Sequence, residues 1–416
     1  MSIRRAGLAA LFLALGAGPA RAAPDLLSPE TFSGLVELRL AAADGERSWL
    51  DGGFGKTGAS GGGSDWAARP DLSQALIQWK PRLSFSLAAV VSAQVQPDVD
   101  PAFDLGEAYL TWRAAPNRLA RFSARAGLFY PPVSQEHEGV GWTTPDVLSA
   151  SAIGSWIGEE VKVAGLELTA TRALGDHEVS ATAAAFGAND TSGTLLSFRG
   201  WALHGVRTGA STDFPLPALS PFMRTRQAPI STPVGELDNR AGYYGRLAWR
   251  PPVPIEVSAF YYDNAGDRTS VEALQWAWET RFTTLGLVWS LDEVTTLRAQ
   301  VLRGETLMGF RYQARHRWID MGYASAHVSA VRRFGDHALT LRVDGFETND
   351  RTLQAIDNND ETGWALTAAW RHRLSPRADL LFEGLHVSSD RPSRIYGGVA
   401  PDQDQTVLQS ALRLSF

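Results

Sequence analysis

The sequence predicts an all-β protein: a single transmembrane antiparallel β-barrel of about sixteen strands, formed after removal of an N-terminal signal peptide. Three observations carry the prediction. Hydropathy alternates with period 2 along nearly the whole chain, connections alternate between short and long, and the last residues form an amphipathic segment ending in Phe416. Successive strand side chains point to opposite faces, so a wall between lipid and water must alternate in this way.

The first stretch, MSIRRAGLAALFLALGAGPARA, reads as a signal peptide over residues 1–22. Arg4 and Arg5 are its cationic start, residues 6–15 its apolar core, and Ala20 and Ala22 the small residues before the cleavage site. The core is too short to cross a bilayer, which takes about 20 residues. Removing Arg4, Arg5 and Arg21 takes the net charge from −6 to −9. Such acidity argues against nucleic acid as a partner. No cysteine occurs in 416 residues, so an exported chain must rest on packing rather than disulfides.

Residues 23–416 are expected to form one barrel domain. Sixteen segments pass the period-2 test: 34–42, 72–79, 83–95, 105–113, 119–129, 160–171, 177–187, 242–250, 255–263, 280–290, 296–303, 322–331, 338–346, 363–372, 378–387 and 405–416. In LSFSLAAVVSAQV, residues 83–95, the odd positions from Leu83 to Val95 are apolar, while Ser84, Ser86, Ser92 and Gln94 share the other face. Short connections such as KPR, AAPNR, PPVP and LDEVT carry turn residues. Long loops at 43–71, 130–159 and 188–241 alternate with them. An even strand number puts both chain ends on one side and leaves no open edge in lipid. A repeated Gly-Asp-His, at 175–177 and 335–337, falls on two of the short turns.

Energy sets which face looks inward. Arginine facing lipid at midplane costs about 2–4 kcal/mol. In ARFSARAGLF this turns Arg121 and Arg125 into the lumen. The same argument turns Arg113, Arg298, Arg342, Arg371 and Glu107 inward. The expected interior is therefore polar, arginine-rich and water-filled, because sixteen strands leave a channel.

ARAGLFYPPVSQEHEG and WSLDEVTTLRAQVLRGETLMG resemble segments of the phosphate-selective porin family, and QTVLQSALRLSF resembles the assembly signal of bacterial outer-membrane barrels. The resemblance implies an outer-membrane location and passive diffusion of small solutes. It also implies that the loop after the fifth strand folds inward as a constriction, its Glu136, Glu138 and Asp146 facing Arg121 and Arg125. Opposed charges there would select solutes by charge. The family's phosphate selectivity goes with a lysine- and arginine-rich lumen, whereas this chain has only Lys56, Lys80 and Lys162.

Two other classes compete. A barrel-scaffolded hydrolase needs a serine, a histidine and an acid together, and only His327 has inward parity on a strand. A plugged structural or adhesive barrel would close its lumen with the loop 188–241. The acidic segment 347–362 lacks the glycine spacing of a calcium loop, and GKTGASGGG lacks the spacing of a phosphate-binding loop. No catalytic residue, cofactor or metal is expected. The expected partners are outer-membrane lipid and lipopolysaccharide, small polar solutes, and the barrel-assembly machinery through Phe416. General porins are commonly homotrimers, and no trimer face is identifiable here.

Overall fold

The computed structural model describes residues 26–59, 63–115, 117, 120–159, 161–312, 316–353 and 355–416. The expected signal peptide lies outside them. Sixteen antiparallel strands close into one barrel. They are β1 (Phe32–Gly45), β2 (Gly63–Trp79), β3 (Leu87–Val95), β4 (Phe103–Arg113), β5 (Arg121–Phe129), β6 (Val163–Leu174), β7 (His177–Gly187) and β8 (Gly242–Arg250). The second half comprises β9 (Ile255–Asp263), β10 (Glu279–Ser290), β11 (Thr295–Tyr312), β12 (His316–Phe334), β13 (His337–Asp350), β14 (Glu361–Ser375), β15 (Ala378–Asp390) and β16 (Asp402–Ser415).

Each strand pairs with its sequence neighbour, and β1 meets β16 from Leu35–Ser415 to Ala43–Val407. At the seam, Gly34 and Phe416 exchange both backbone hydrogen bonds, at 3.1 and 3.2 Å. A Cβ on Gly34 would overlap the Phe416 ring, so the closing contact requires glycine.

Every expected segment falls on a barrel strand, but several ends move. β3 starts at Leu87 rather than 83, because the Ser84 hydroxyl accepts the N–H groups of Ser86 and Leu87 at 3.3 and 3.1 Å. That local bond competes with the ladder and leaves a turn. β11 and β12 run well past the expected 296–303 and 322–331, and their extension carries Met308, Phe310, Trp318 and Ile319. Positions 119 and 160, at two expected strand ends, lie outside the described residues.

Outward positions are apolar: Leu247, Leu285, Val301, Val328, Leu341 and Val343 are all exposed. Trp112, Trp249, Trp289 and Trp364 also look outward. This is the surface a lipid-facing wall requires. The two Gly-Asp turns are two residues long, closed by Leu174–His177 and Phe334–His337. Gly175 and Gly335 take φ of +62° and +57° there, which favours glycine. His177 stacks on Trp249, and His337 on Trp370 and His372. The repeat is a turn plus an outward aromatic rim.

The inside differs from the water-filled lumen expected. Toward the long-loop end (the outer end) it is a packed apolar core. The loop after β5 contributes α1 (Ala152–Glu159) and the loop after β7 contributes α2 (Thr194–Phe198). Trp156 of α1 packs edge-on against Phe282, Tyr323 and Trp201 at centroid distances of 5.2, 5.1 and 6.0 Å. Leu195, Leu196 and Leu203 are fully buried beside them. The cause lies in the wall. Inward positions near the outer end are Phe260, Tyr262, Phe282, Tyr323 and Phe346, and burying such rings under apolar loop residues is favourable.

Candidate functional site

Below this core the interior is polar, and the loop after β5 organises it. The loop leaves β5, crosses the barrel and runs along β11 to β16. Gln300 donates to the carbonyl of Val133 at 2.7 Å. Arg298 pairs with Glu138 at 2.9 Å, and Asp146 pairs with Arg333 at 2.6 Å and Arg371 at 3.5 Å. Arg413 donates to the carbonyls of Thr144 and Val147 at 2.7 and 3.0 Å. Further on, Glu383 accepts the N–H of Leu148 at 2.6 Å, and Gln409 donates to Ser149 at 2.9 Å.

Arg342 and Glu136 are the centre of this fastening. Arg342 donates to Asp344 at 2.8 Å, Glu136 at 3.2 Å, and the carbonyls of Ser149 and Ala150 at 2.8 and 3.0 Å. Glu136 also accepts from the backbone and hydroxyl of Ser151 and faces His327. Burial alone would raise the Glu136 carboxyl. His327, Arg342 and the Ser151 hydroxyl outweigh it and hold the pKa at about 2.

This corrects the expected charge pattern. The loop acids Glu136, Glu138 and Asp146 meet Arg342, Arg298 and Arg371 on the far wall, not Arg121 and Arg125. Arg125 is taken by Glu167 on adjacent β6, in a two-bond fork of 2.8 and 2.9 Å. Arg121, first residue of β5, is largely exposed at the short-turn (inner) end and pairs with Glu178. Arg113 also ends exposed at that rim, while Glu107 is buried and accepts the Tyr130 N–H at 3.3 Å. For Arg125, ladder pairing explains the difference: a carboxylate one strand away reaches an arginine before a loop can.

Two cavities approach the interior from opposite ends. An inner one of about 620 Å³ lies between Ser134, Glu138 and Trp142 of the loop and Arg246, Arg250 and Glu256 of β8 and β9. An outer one of about 260 Å³ runs along the β16–β1–β2–β3 wall past Arg39, Arg69, Gln96, Asp98, His204 and Gln409. Between them stands a stack of three rings. Trp142 lies flat on Tyr130 at 5.0 Å and on His137 at 5.2 Å. A Cβ on Gly141 would press on the Leu76 side chain of β2, so the loop here touches the wall.

The rival chemistry can be placed as well. His327 faces inward, but the hydroxyl of Ser325 on its own strand donates to the Gly345 carbonyl. A closer pair, absent from the sequence reading, is Ser134 Oγ and His137 Nδ1 at 2.8 Å. The same oxygen accepts the N–H groups of Glu136 and His137 at 3.1 and 3.4 Å, as a turn cap does. The far side of the His137 ring lies against Gly158, and burial pushes its pKa down to about 4. A capped hydroxyl beside a weakly basic imidazole is a poor nucleophile.

Lys56 lies in the loop between β1 and β2. It is buried and ion-paired with Glu361, burial taking its pKa down to about 7 against that carboxylate. The acid-rich segment 347–362 uses its oxygens internally, since Asp350 accepts from Thr352 at 2.9 Å and from Asn359 at 2.9 Å. Arg207, buried in the loop after β7, carries no strand periodicity and was not read from the sequence.

Solved structures share this architecture. The outer membrane channel DcaP of Acinetobacter baumannii superposes with a TM-score of 0.57 at 11% identity, over 92% of this chain and 96% of that one. An anion-selective porin from Comamonas acidovorans gives 0.52 at 13%, over 93% and 99%. A loop L8 deletion mutant of OmpT, an outer membrane protein of Vibrio cholerae, gives 0.50 at 9%, over 93% and 99%. At these identities the likeness establishes the fold. No protein-family model matches the chain, and no curated protein matches it by sequence.

Proposed function

We propose that the chain is a bacterial outer-membrane porin that lets small polar or charged solutes diffuse passively between the two cavities. The observation that carries this reading is their arrangement. Two polar cavities enter a closed barrel from opposite ends and are separated by one loop and a ring stack. The outer cavity follows the β16–β3 wall, because the apolar core occupies the outer half of the axis, and the inner one opens against β8 and β9. Fixed charge comes from Arg39, Arg69, Asp51 and Asp98 outside and from Arg246, Arg250, Glu138 and Glu256 inside. Phosphate is not the favoured solute: Lys56 and Lys162 are buried, and Lys80 is exposed next to the β2–β3 turn.

One observation favours a second reading, a closed barrel: the burial of α1, α2 and Trp201 across the interior. Planar-bilayer recording separates the two. The channel reading expects discrete current steps from the purified protein, smaller than an open sixteen-strand pore would pass. Silence at every protein density would leave the closed barrel standing.

A further inference from the structure

Each cavity is lined by two arginines and two carboxylates, Arg39 and Arg69 with Asp51 and Asp98 outside, Arg246 and Arg250 with Glu138 and Glu256 inside. The lining charge sums to zero in both, so neither cavity gathers ions of one sign over the other. Each offers both signs in one space.

The inner cavity, at about 620 Å³, falls within the roughly 300–1,000 Å³ of small-ligand pockets. Its charges come from different elements: Arg246 and Arg250 from β8, Glu256 from β9, and Glu138 from the loop that crosses the barrel. Arg250 is fully engaged, its Nε donating to Glu256 and its Nη1 to Glu178, both at 2.7 Å. Arg246 uses Nη2 alone, donating to Glu256 at 2.6 Å, and its Nε and Nη1 make no hydrogen bond among the described residues. Its side chain is 22% exposed. On the loop, Glu138 is held by one oxygen, since Oε2 accepts from Arg298 at 2.9 Å and Oε1 has no hydrogen-bond partner among the described residues. That side chain is 54% exposed. An open carboxylate oxygen and a guanidinium with unused N–H groups therefore line the same solvent-filled space, and charge-assisted hydrogen bonds are the strong ones. Much of the remaining lining is apolar, from Pro132, Trp142, Val253, Pro254 and Ile255.

We propose that the inner cavity binds small zwitterions, α-amino acids with an apolar side chain, whose ammonium group meets Glu138 and whose carboxylate meets Arg246. This deepens the channel reading and rests on it. A lone anion satisfies Arg246 and leaves Glu138 unmatched, and a lone cation does the reverse. A molecule with both charges completes both contacts, and its apolar side chain gains from the apolar lining.

The test uses the full chain in planar bilayers in potassium chloride at neutral pH, with three probes of one shape. They are L-leucine, 4-methylpentanoate, which lacks the ammonium group, and 3-methylbutylamine, which lacks the carboxylate. Leucine should reduce the current saturably, at about one-tenth of the concentration that either analogue needs. Glu138→Gln should raise the half-blocking leucine concentration about tenfold and spare 4-methylpentanoate. Arg246→Gln should raise it by a similar factor and spare 3-methylbutylamine. Equal block by the three probes, or wild-type leucine block in either variant, would overturn the proposal. Uniform weakening of all three would overturn the two contacts, since it marks a change of shape rather than a lost charge. Heat-modifiable mobility on gels confirms that each variant folds. A parallel melting experiment in detergent keeps the two readings apart. Leucine should raise the Tm of the wild type and of neither variant, whether or not the protein conducts. Current steps with neither that shift nor leucine block would leave the channel and remove the site, whereas the shift in a silent protein would leave the site and remove the channel.

Discussion

A single side chain decides much in this interior, and Arg342 and Glu136 show how. They are 206 residues apart and meet at 3.2 Å. Parity alone turns Arg342 inward, because the lipid alternative is too costly. The acid it meets depends on the path of a loop that has no period, so the pairing was illegible. Arg125 shows the converse, since its partner Glu167 lies one ladder step away and neighbouring-strand registers could have suggested it.

His137 makes the loop sensitive to acid. Its folded pKa of about 4 lies below the ordinary imidazole value of 6.5, so the unfolded chain binds the proton first. Stability should fall as pH drops from 6.5 through 4, by about 3 kcal/mol at the acid limit. Glu136, held at about 2 against 4.5, adds its own loss only below pH 4.5. Thermal melts between pH 7 and 4.5 check this. His137→Phe keeps a ring on Trp142, removes the titration and should flatten the dependence in that interval.

At the scale of elements, strands were legible because lipid on one face and polar groups on the other impose period 2 on each of them. The ends were less so where a local bond intervened, as at Ser84, or where strands outran the bilayer, as in β11 and β12. The inward aromatics Tyr262, Phe282 and Tyr323 held the missing signal: a run of rings facing the lumen near the outer end calls for apolar cover. Leu195, Leu196 and Trp201 supply that cover from a loop with no regular spacing. The turns test the simplest element. Gly335 has no heavy atom near its missing Cβ, so Gly335→Ala should cost only backbone strain, about 1–2 kcal/mol. Denaturant unfolding should show that loss, and Gly175→Ala, in the equivalent turn, should match it.

The whole molecule is a barrel whose outer half is filled along the axis, with polar space against the β16–β3 wall outside and against β8 and β9 inside. A cysteine-free chain allows the route to be located by single introduced thiols. Ser73 lines the outer cavity, whereas Ser155 of α1 is buried against the His204 backbone inside the barrel. Currents recorded before and after a charged thiol reagent test the off-axis route most directly. The structure predicts that Ser73→Cys reacts and loses current while Ser155→Cys conducts unchanged. Rapid reaction and block at Ser155→Cys, with Ser73→Cys indifferent, would contradict it.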